Sequence, residues 1–244
     1  LAEGSTVEAG SMLAVVDDAD IAGVVMDAEE RMRVPVQVAT TTADGAVVVR
    51  GEIIGVPLDN GGPAINALFA KEGRTLDASD TGLWTAMLER NFAVNYDLPA
   101  EGTLTLSGGQ QIGYVGHATT PEFFIVIPEG GGFFGQANFA AVFTSVETAG
   151  EFAGLPGSVN DLVVTLESDS DRDGFAARLA ASFETAMPDI GVVVSTTDDD
   201  AAYSLTYEDI EGDQQFFNII AVLILAGSAA AAVNLTARMV DQTR

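Results

Sequence analysis

Three consecutive segments, residues 161–167 (DLVVTLE), 172–187 (RDGFAARLAASFETAM) and 191–196 (GVVVST), give the plainest indication of the fold. The first and third are short runs rich in β-branched residues, which are typical of strands. In the second, apolar residues recur at every fourth position: Phe175, Leu179, Phe183 and Met187. Such spacing places them on one face of a helix. The sequence therefore predicts a β-α-β unit whose helix packs on a sheet.

Beyond this unit, residues 214–237 contain no charged side chain. At about 1.5 Å per residue, a helix of this length would cross a hydrocarbon core of about 30 Å. Arg238 and Arg244 follow it, whereas the acidic body precedes it, so the positive-inside tendency predicts that residues 238–244 begin a cytoplasmic segment and residues 1–213 are extracytoplasmic. Residues 198–215 are predicted to lead into the span as a helix. The alternative is an alanine-rich buried helix of a soluble protein.

The composition is strongly acidic. The 36 acidic and 10 basic residues give a formal charge of −26 and a pI near 4.1. A surface this negative repels phosphate backbones, which excludes nucleic-acid binding, and it disfavours docking of the main body on anionic headgroups. Adaptation to a salt-rich habitat would also explain the charge. Because cysteine is absent, disulfides, thiolate catalysis and cysteine-based zinc sites are excluded.

The N-terminal residues LAEGSTVEAG have neither the basic start nor the apolar run of a signal peptide. We therefore expect the chain to be cut from a longer one with an earlier spanning helix upstream. Residues 11–17 are predicted as a short helix. Residues 34–41 and 46–56 are predicted as the strands of a hairpin around Asp44-Gly45. Residues 27–33 (DAEERMR) fit both helix and strand.

Residues 57–157 are richer in glycine and in short apolar runs. Strands are predicted at residues 83–88, 103–107, 111–117, 123–127 and 138–143. Helices are predicted at residues 64–71, 89–96 and 145–152. This mixture indicates an α+β unit built around a mostly antiparallel sheet.

The residues that could carry chemistry do not form a catalytic pattern. His117 is the only histidine, so it lacks a second imidazole for a metal pair, and no neighbouring residues suggest a catalytic triad. The glycine-rich segments 108–116 and 130–135 lack the Gly-Lys-Ser/Thr of a phosphate loop and the dinucleotide fingerprint. We therefore predict no catalytic residue, no cofactor and no enzymatic activity.

Asp169, Asp171, Asp173 and Gly174 match the first half of a calcium loop, but the twelfth position is Ala180 instead of a bidentate glutamate. We favour a helix cap at Asp171 or Asp173 and predict no metal site. The acidic runs at residues 17–20 and 198–200 are interpreted as solvated turns and caps. Phe133 and Phe134 either tuck back onto the domain or form an exposed aromatic loop that grips an apolar partner.

Several short motifs, taken in order, resemble one family. They are Gly55-Val56-Pro57, Glu72-Gly73-Arg74, residues 88–93 (LERNFA), residues 98–102, Val115-Gly116, Val159-Asn160-Asp161, Asn234 and residues 240–244 (VDQTR). Together with the mixed α/β region and the predicted span, they resemble the permease subunit of MacB-like and FtsX-like ABC transporters. The chain differs in having Gln242-Thr243-Arg244 where an Arg-Thr-Arg-Glu type of sequence is common.

The resemblance implies an α+β extracytoplasmic module of two subdomains, followed by the C-terminal transmembrane helix. Residues 1–56 and 158–210 would form a membrane-proximal β-α-β subdomain, and residues 57–157 an inserted mixed α/β subdomain. The ATPase would be a separate domain or subunit. Two permease copies, or two related permeases, would pair in the membrane, for which residues 227–232 supply a small-residue helix face.

The function implied is transmission of an ATP-driven conformational change across the membrane, for export or extraction of a substrate, with an extracytoplasmic protein as a further partner. An FtsX-type regulator that activates an extracellular cell-wall hydrolase is one alternative. A membrane-anchored binding module is another. An enzyme is a weaker one, since no catalytic constellation is present.

Overall fold

The computed structural model describes residues 6–16, 22–123, 138–168 and 170–199. The described residues up to Thr196 form one compact unit, and the short 3-10 turn Thr197–Asp199 belongs to a second. The predicted spanning segment 214–237, the segment 238–244 and the glycine-rich segment 130–135 with Phe133 and Phe134 lie outside the described residues. Within those residues, no helix is both long enough and apolar enough to cross a bilayer.

The described residues form a mixed α/β fold. In chain order the elements are β1 Val7–Glu8, α1 Ser11–Val16, β2 Val25–Thr42, β3 Gly45–Val56, β4 Phe69–Gly73, β5 Thr85–Glu89, α2 Arg90–Asn95, β6 Gly102–Leu106, β7 Gln111–Thr119, β8 Phe139–Ser145, α3 Val146–Ala153, β9 Ser158–Val159, β10 Asp161–Leu166 and α4 Arg172–Ala186. Only β3 with β8 and β5 with β7 pair in parallel; every other strand pair among these residues is antiparallel. The predicted mostly antiparallel sheet is confirmed.

The long strand β2 organises the sheet. One of its edges pairs with β3 from Met32 to Thr42, while the other pairs first with β10 and then, at Val38 and Ala39, with β6. Strands β2, β3, β8, β5, β7 and β6 pair in that order, and β6 returns to β2, so the sheet closes on itself. Each of the six contributes to one buried apolar cluster: Val38, Ile53, Val142, Leu88, Ile112 and Leu104.

A separate apolar cluster lies beside β9 and β10. Its buried members are Met12, Val15, Val16, Val159, Phe175, Leu179 and Phe183. The predicted apolar face of α4 is thus confirmed at Phe175, Leu179 and Phe183, and Met187 is partly buried against the same cluster. All of these residues belong to the predicted membrane-proximal segments 1–56 and 158–210. The division into two subdomains stays a prediction, because the closed sheet combines strands from both proposed subdomains. It takes β2 and β3 from residues 1–56 and β5, β6, β7 and β8 from residues 57–157.

The prediction of a strand at residues 191–196 was wrong. These residues pair with no strand among the described residues, and Val193 is 93% exposed. β-branched residues favour extended backbone, but a strand also needs a hydrogen-bonded neighbour. In the described residues, the predicted β-α-β unit is therefore β10 followed by α4.

The prediction of a helix at residues 64–71 was also wrong. Residues 69–73 instead form β4, which pairs with β7, and residues 64–68 are irregular. The Glu29 carboxylate accepts hydrogen bonds from the amides of Ala64 (2.7 Å) and Ile65 (3.0 Å), which holds this segment beside β2. Tertiary contacts here override helical propensity.

The remaining local predictions mostly hold. The hairpin around Asp44-Gly45 is formed by β2 and β3. The ambiguous residues 27–33 are part of β2, because residues 27–31 pair with β10 and residues 32–33 pair with β3. Four predicted strands correspond to β5, β6, β7 and β8, and two predicted helices to α2 and α3. Of the predicted strand 123–127, only Phe123 is described, and it ends the 3-10 turn Pro121–Phe123.

Candidate functional site: a charged joint on strand β2

A cluster of charged and amide side chains lies where β2 passes from its pairing with β10 to its pairing with β3. Arg31 is the last β2 residue opposite β10, and Met32 is the first opposite β3. We call this cluster the charged joint. It consists of Arg31, Arg33, Glu52, Glu122, Asn160 and Asp161. These residues come from β2, β3, the turn Pro121–Phe123, the link between β9 and β10, and the first residue of β10.

Arg31 is the central cation of the charged joint. It is only 3% exposed, although a guanidinium keeps its charge in proteins. Its Nε donates to Oδ2 of Asp161 at 2.6 Å, and its two Nη groups donate to the carboxylate of Glu122. Burial lowers the pKa of Arg31, but the hydrogen bonds to Glu122 and the charges of Asp161 and Glu122 together outweigh it, so the pKa is raised. The fork-like geometry ties β10 and the Pro121–Phe123 turn to one point on β2.

Arg33, two residues along β2, extends the same network. Because alternate residues of a strand share a face, Arg31 and Arg33 lie on the same side of β2. Arg33 Nε donates to Oε1 of Glu52 at 3.0 Å, and its Nη1 donates to Oε1 of Glu122 at 3.1 Å. Burial lowers the pKa of Arg33, but its hydrogen bonds to Glu52 and the charges of Glu52, Glu122 and Asp161 together raise it by more. Glu122 therefore bridges both arginines.

Glu122 stays ionised although it is mostly buried. Burial raises the pKa of its carboxyl group, but the hydrogen bond and charge of Arg31, the charge of Arg33 and a hydrogen bond from Asn66 lower the pKa below its ordinary value. Asn66 Nδ2 donates to Oε2 of Glu122 at 3.1 Å. The loop that carries Asn66 is thus fixed to the same carboxylate.

Asn160 forms the backbone part of the charged joint. Its Oδ1 accepts from the amide of Arg33 at 2.7 Å, and its Nδ2 donates to the Arg33 carbonyl at 2.8 Å. Its own amide donates to the Arg31 carbonyl at 3.1 Å. The side chain of Asn160 thus replaces the missing strand neighbour at the step between β9 and β10. Both backbone polar groups of Arg33, its amide and its carbonyl, therefore have hydrogen-bond partners.

The arrangement is suited to holding elements in register rather than to catalysis. It contains cations, carboxylates and amides that satisfy one another, and no nucleophile beside a base. Buried ion pairs contribute little net stability, but breaking one leaves the other charge buried without a partner. A shift of register between the strands would therefore be energetically costly. The charged joint therefore resists sliding of β10 along β2. Displacement of β10 would carry β2 with it.

A second close contact fixes β4 to β7. A Cβ on Gly73 would lie 2.3 Å from the Val115 carbonyl oxygen, and one on Gly116 would lie 2.5 Å from the Arg74 carbonyl oxygen. The backbones can approach so closely only because both residues are glycine. Arg74 then binds Asp80 through both Nη groups, at 2.6 and 2.7 Å. That hydrogen bonding is the main reason the pKa of Asp80 is lowered.

The residues that the sequence offered as candidates for chemistry, and the buried Glu89, pack in the core, form a turn and strand, or cap a helix. His117 is 2% exposed; its Nε2 lies 3.0 Å from the Pro99 carbonyl oxygen, and its ring stacks on Tyr114. Residues 107–109 form a turn between β6 and β7, and most of segment 108–116 belongs to β7, so this glycine-rich segment is a turn and a strand. Glu89 accepts from the amides of Asn91 and Phe92 and so caps α2, and its burial raises the pKa of its carboxyl group.

The predicted cap at the start of α4 is confirmed at Asp171, whose Oδ1 accepts from the Gly174 amide at 3.0 Å. Asp169 and residues 17–20 lie outside the described residues. Within the described ranges, no group of three or more potential ligands could hold a metal ion.

Sequence reasoning missed most of the charged joint. Asn160 and Asp161 were noted only as part of a family-like motif, and Arg31, Arg33, Glu52 and Glu122 were not singled out. One signal was present: two arginines spaced by two in a chain with only 10 basic residues. Recognising residues 27–33 as a strand would have put both guanidinium groups on one face.

Comparison with solved structures identifies the fold. The periplasmic region of MacB from Actinobacillus actinomycetemcomitans is similar with a TM-score of 0.50 and 9% identity, over 84% of this chain and 83% of that one. The extracellular domain of the noncanonic ABC-type transporter YknZ from Gram-positive bacteria is similar with a TM-score of 0.48 and 12% identity, over 74% of this chain and 83% of that one. No protein-family model and no curated protein matches the chain. The described chain therefore has the fold of a MacB-like extracytoplasmic domain.

Proposed function

We propose that the chain is the extracytoplasmic domain, with the following transmembrane helix, of an ABC transporter permease. The single observation that carries the proposal is the fold, which is shared with the periplasmic region of MacB. Its proposed role is to transmit an ATP-driven conformational change for export or extraction of a substrate. ATP hydrolysis would take place on a separate ATPase domain or subunit, and a second permease would complete the membrane unit.

The geometry of the described residues supports a mechanical role. α4 precedes residues 198–215 in the chain and packs through Phe175, Leu179 and Phe183 in the cluster that also includes residues of β10. The charged joint then locks β10 onto β2. Because β2 also belongs to the closed sheet, a displacement of α4 would reach β10 through the packed apolar side chains and then reach the closed sheet through hydrogen-bonded backbone.

The proposed mechanism follows from this order of elements. ATP binding moves the cytoplasmic end beyond Arg244, residues 214–237 shift as a spanning helix, and residues 198–215 pass the shift to α4 and β10. The membrane-proximal subdomain (residues 1–56 and 158–210) then moves relative to the inserted subdomain (residues 57–157), or carries it. Such rigid-body and hinge movements are the common way in which packed elements convert a small shift into a large one.

Inserting a flexible glycine segment between Asp199 and Asp200 tests the proposal. In the full transporter with its ATPase, the insert should leave ATP hydrolysis intact but abolish transport, because the shift is no longer passed on. The same insert at the exposed Asp44-Gly45 turn, which lies at the far end of the β2–β3 hairpin, is the control and should leave both activities intact. Normal transport with the first insert would refute the proposed mechanism.

A further inference from the structure

The chain contains one Asn-Gly pair, Asn60-Gly61, and this pair lies in the turn that follows strand β3. Asn60 and Gly61 are both exposed. Leu58 before them is only 3% exposed, and Pro63 after them is buried. The turn is therefore anchored at both ends, and solvent reaches the two residues between the anchors.

The backbone around Gly61 is open. Gly61 has no Cβ, and a Cβ built on it would meet no atom within 4 Å. Its φ of 89° lies in the region that glycine adopts without strain, so the sequence requires glycine here for conformational reasons as well. Among the described residues, no packed group therefore obstructs an approach of the Asn60 side chain to the Gly61 amide nitrogen.

Two of the other described asparagines are held by hydrogen bonds. Asn66 donates its side-chain amide to Glu122, and the side chain of Asn160 binds the backbone amide and carbonyl of Arg33. The side chain of Asn60, in contrast, makes no hydrogen bond to another described residue. It is therefore free to rotate towards the backbone that follows it.

The remaining described asparagines precede aromatic residues. They are Asn91, Asn95 and Asn138, which are followed by Phe92, Tyr96 and Phe139. A side chain on the following residue crowds the backbone amide next to the asparagine, whereas glycine leaves that amide uncovered. Asn60 is therefore the described asparagine whose own side chain and following amide are both unobstructed.

We propose that Asn60 is a site of spontaneous deamidation, in which the amide nitrogen of Gly61 displaces the side-chain amide of Asn60 as ammonia. The Gly61 nitrogen gives its proton to solvent and attacks Cγ of Asn60. A bond forms between this nitrogen and Cγ, and the bond between Cγ and Nδ2 breaks. Nδ2 takes a proton from solvent and leaves as ammonia, so the product is a five-membered succinimide ring.

Water then opens the ring at either of its two carbonyl carbons. Addition at Cγ breaks the new bond and gives aspartate. Addition at the backbone carbonyl carbon of residue 60 breaks the original peptide bond and gives isoaspartate, in which the chain continues through Cγ. The net reaction consumes water and releases ammonia, and nothing is oxidised or reduced. The modification goes beyond the proposed function and does not depend on it.

Deamidation changes both the charge and the geometry of the turn. Either product adds a carboxylate beside Asp59, and isoaspartate lengthens the backbone between Leu58 and Pro63 by one carbon atom. Gly61 and Gly62 line a surface pocket together with Leu58 and Pro63. The modification therefore alters the rim of this pocket.

Peptide mass spectrometry of the purified full chain, aged in mildly alkaline buffer, tests the proposal. Trypsin releases residues 51–71 as a single peptide that contains both Asn60 and Asn66, so Asn66 is an internal control. We expect at least ~10-fold more conversion at Asn60 than at Asn66, with isoaspartate among the products, because only Asn60 precedes a residue without a Cβ. Equal conversion at the two positions would overturn the proposal. Aspartate without isoaspartate would also overturn it, since direct hydrolysis of the side chain gives aspartate alone.

Two glycine variants test whether the Gly61 nitrogen is the attacking group. Gly61→Ala places a Cβ beside this nitrogen and should lower conversion of Asn60 at least ~10-fold. Gly62→Ala is the matched control, because Gly62 also has a positive φ (111°) and a Cβ there would also meet no atom within 4 Å. The control should stay within about 2-fold of the native chain. Circular dichroism verifies that both variants are folded. Conversion that falls equally in both variants, or in neither, would contradict the assigned role of Gly61.

Discussion

Asn160 binds both backbone polar groups of Arg33, a residue 127 positions earlier in the chain, accepting from its amide at 2.7 Å and donating to its carbonyl at 2.8 Å. The two residues close the step at which β10 begins beside β2. Next to them, Asp161 and Arg31 form the ion pair that ends the β10–β2 ladder. This contact makes β10 and the closed sheet one hydrogen-bonded structure.

Replacing Arg31 with methionine should destabilise the fold by roughly 3 kcal/mol, since Asp161 and Glu122 would lose their principal cation in a mostly buried site. Chemical denaturation of the purified chain measures this loss. Arg50→Met on the neighbouring strand β3 is the control, because Arg50 is exposed, and should change stability by less than about 0.5 kcal/mol. Equal effects of the two substitutions would show that the charged joint has no special role.

Glu122→Gln should reduce stability in a pH-dependent manner. The folded-state pKa of Glu122 lies below its ordinary value, so its contribution is fully present above about pH 4.5 and is lost as the pH falls through the folded-state pKa. The difference in unfolding free energy between the native chain and the variant should therefore be largest near neutral pH and shrink below about pH 4.5. A difference that stays constant from neutral to strongly acidic pH would contradict this assignment.

Glu89 should contribute to stability with the opposite pH dependence to Glu122. Its burial raises the folded-state pKa above the ordinary value, so its contribution to stability is present at low pH and is lost as the pH rises through the folded-state pKa. Relative to Glu89→Gln, the native chain should therefore gain stability on mild acidification. Parallel pH titrations of the free energy of unfolding for the two variants check both signs at once.

Gly73→Ala should cost more stability than Gly82→Ala. Both glycines have positive φ (69° and 71°), so both substitutions carry the same backbone penalty of about 1 kcal/mol. Only at Gly73 does the added Cβ meet backbone, 2.3 Å from the Val115 carbonyl oxygen, whereas at Gly82 nothing lies within 4 Å. We expect an additional loss of about 2 kcal/mol at Gly73, measured by thermal unfolding. Equal losses would show that the β4–β7 contact readily relaxes.

Cysteine accessibility tests the proposed topology. In intact cells, a membrane-impermeant thiol reagent should label Asp44→Cys, which lies at an exposed turn, because residues 1–213 are proposed to be extracytoplasmic. Gln242→Cys should be labelled only after the cells are permeabilised. The cysteine-free native chain serves as the blank. Labelling of both positions before permeabilisation would contradict the proposed orientation of the C-terminal segment.

The sequence predicts the elements whose signals are local. The β2–β3 hairpin follows from Asp44-Gly45 between β-branched runs, and α4 follows from apolar residues at every fourth position. The charged joint depends instead on contacts such as Arg31–Glu122, which are 91 residues apart, and no local pattern encodes that separation. Residues 69–73 and 191–196 show the same limit, because whether extended backbone becomes a strand depends on a distant neighbour.

Distance measurement between the two outer domains tests the central claim most directly. Spin labels at Asp44→Cys on both copies of the full permease, assembled with its ATPase in a lipid bilayer, report the separation of the two hairpin tips. We predict that the distance distribution shifts when ATP binds and returns after hydrolysis, because α4, the charged joint and β2 are proposed to carry the movement outward. The same distribution with and without ATP, in a transporter that hydrolyses ATP, would contradict the proposed transmission.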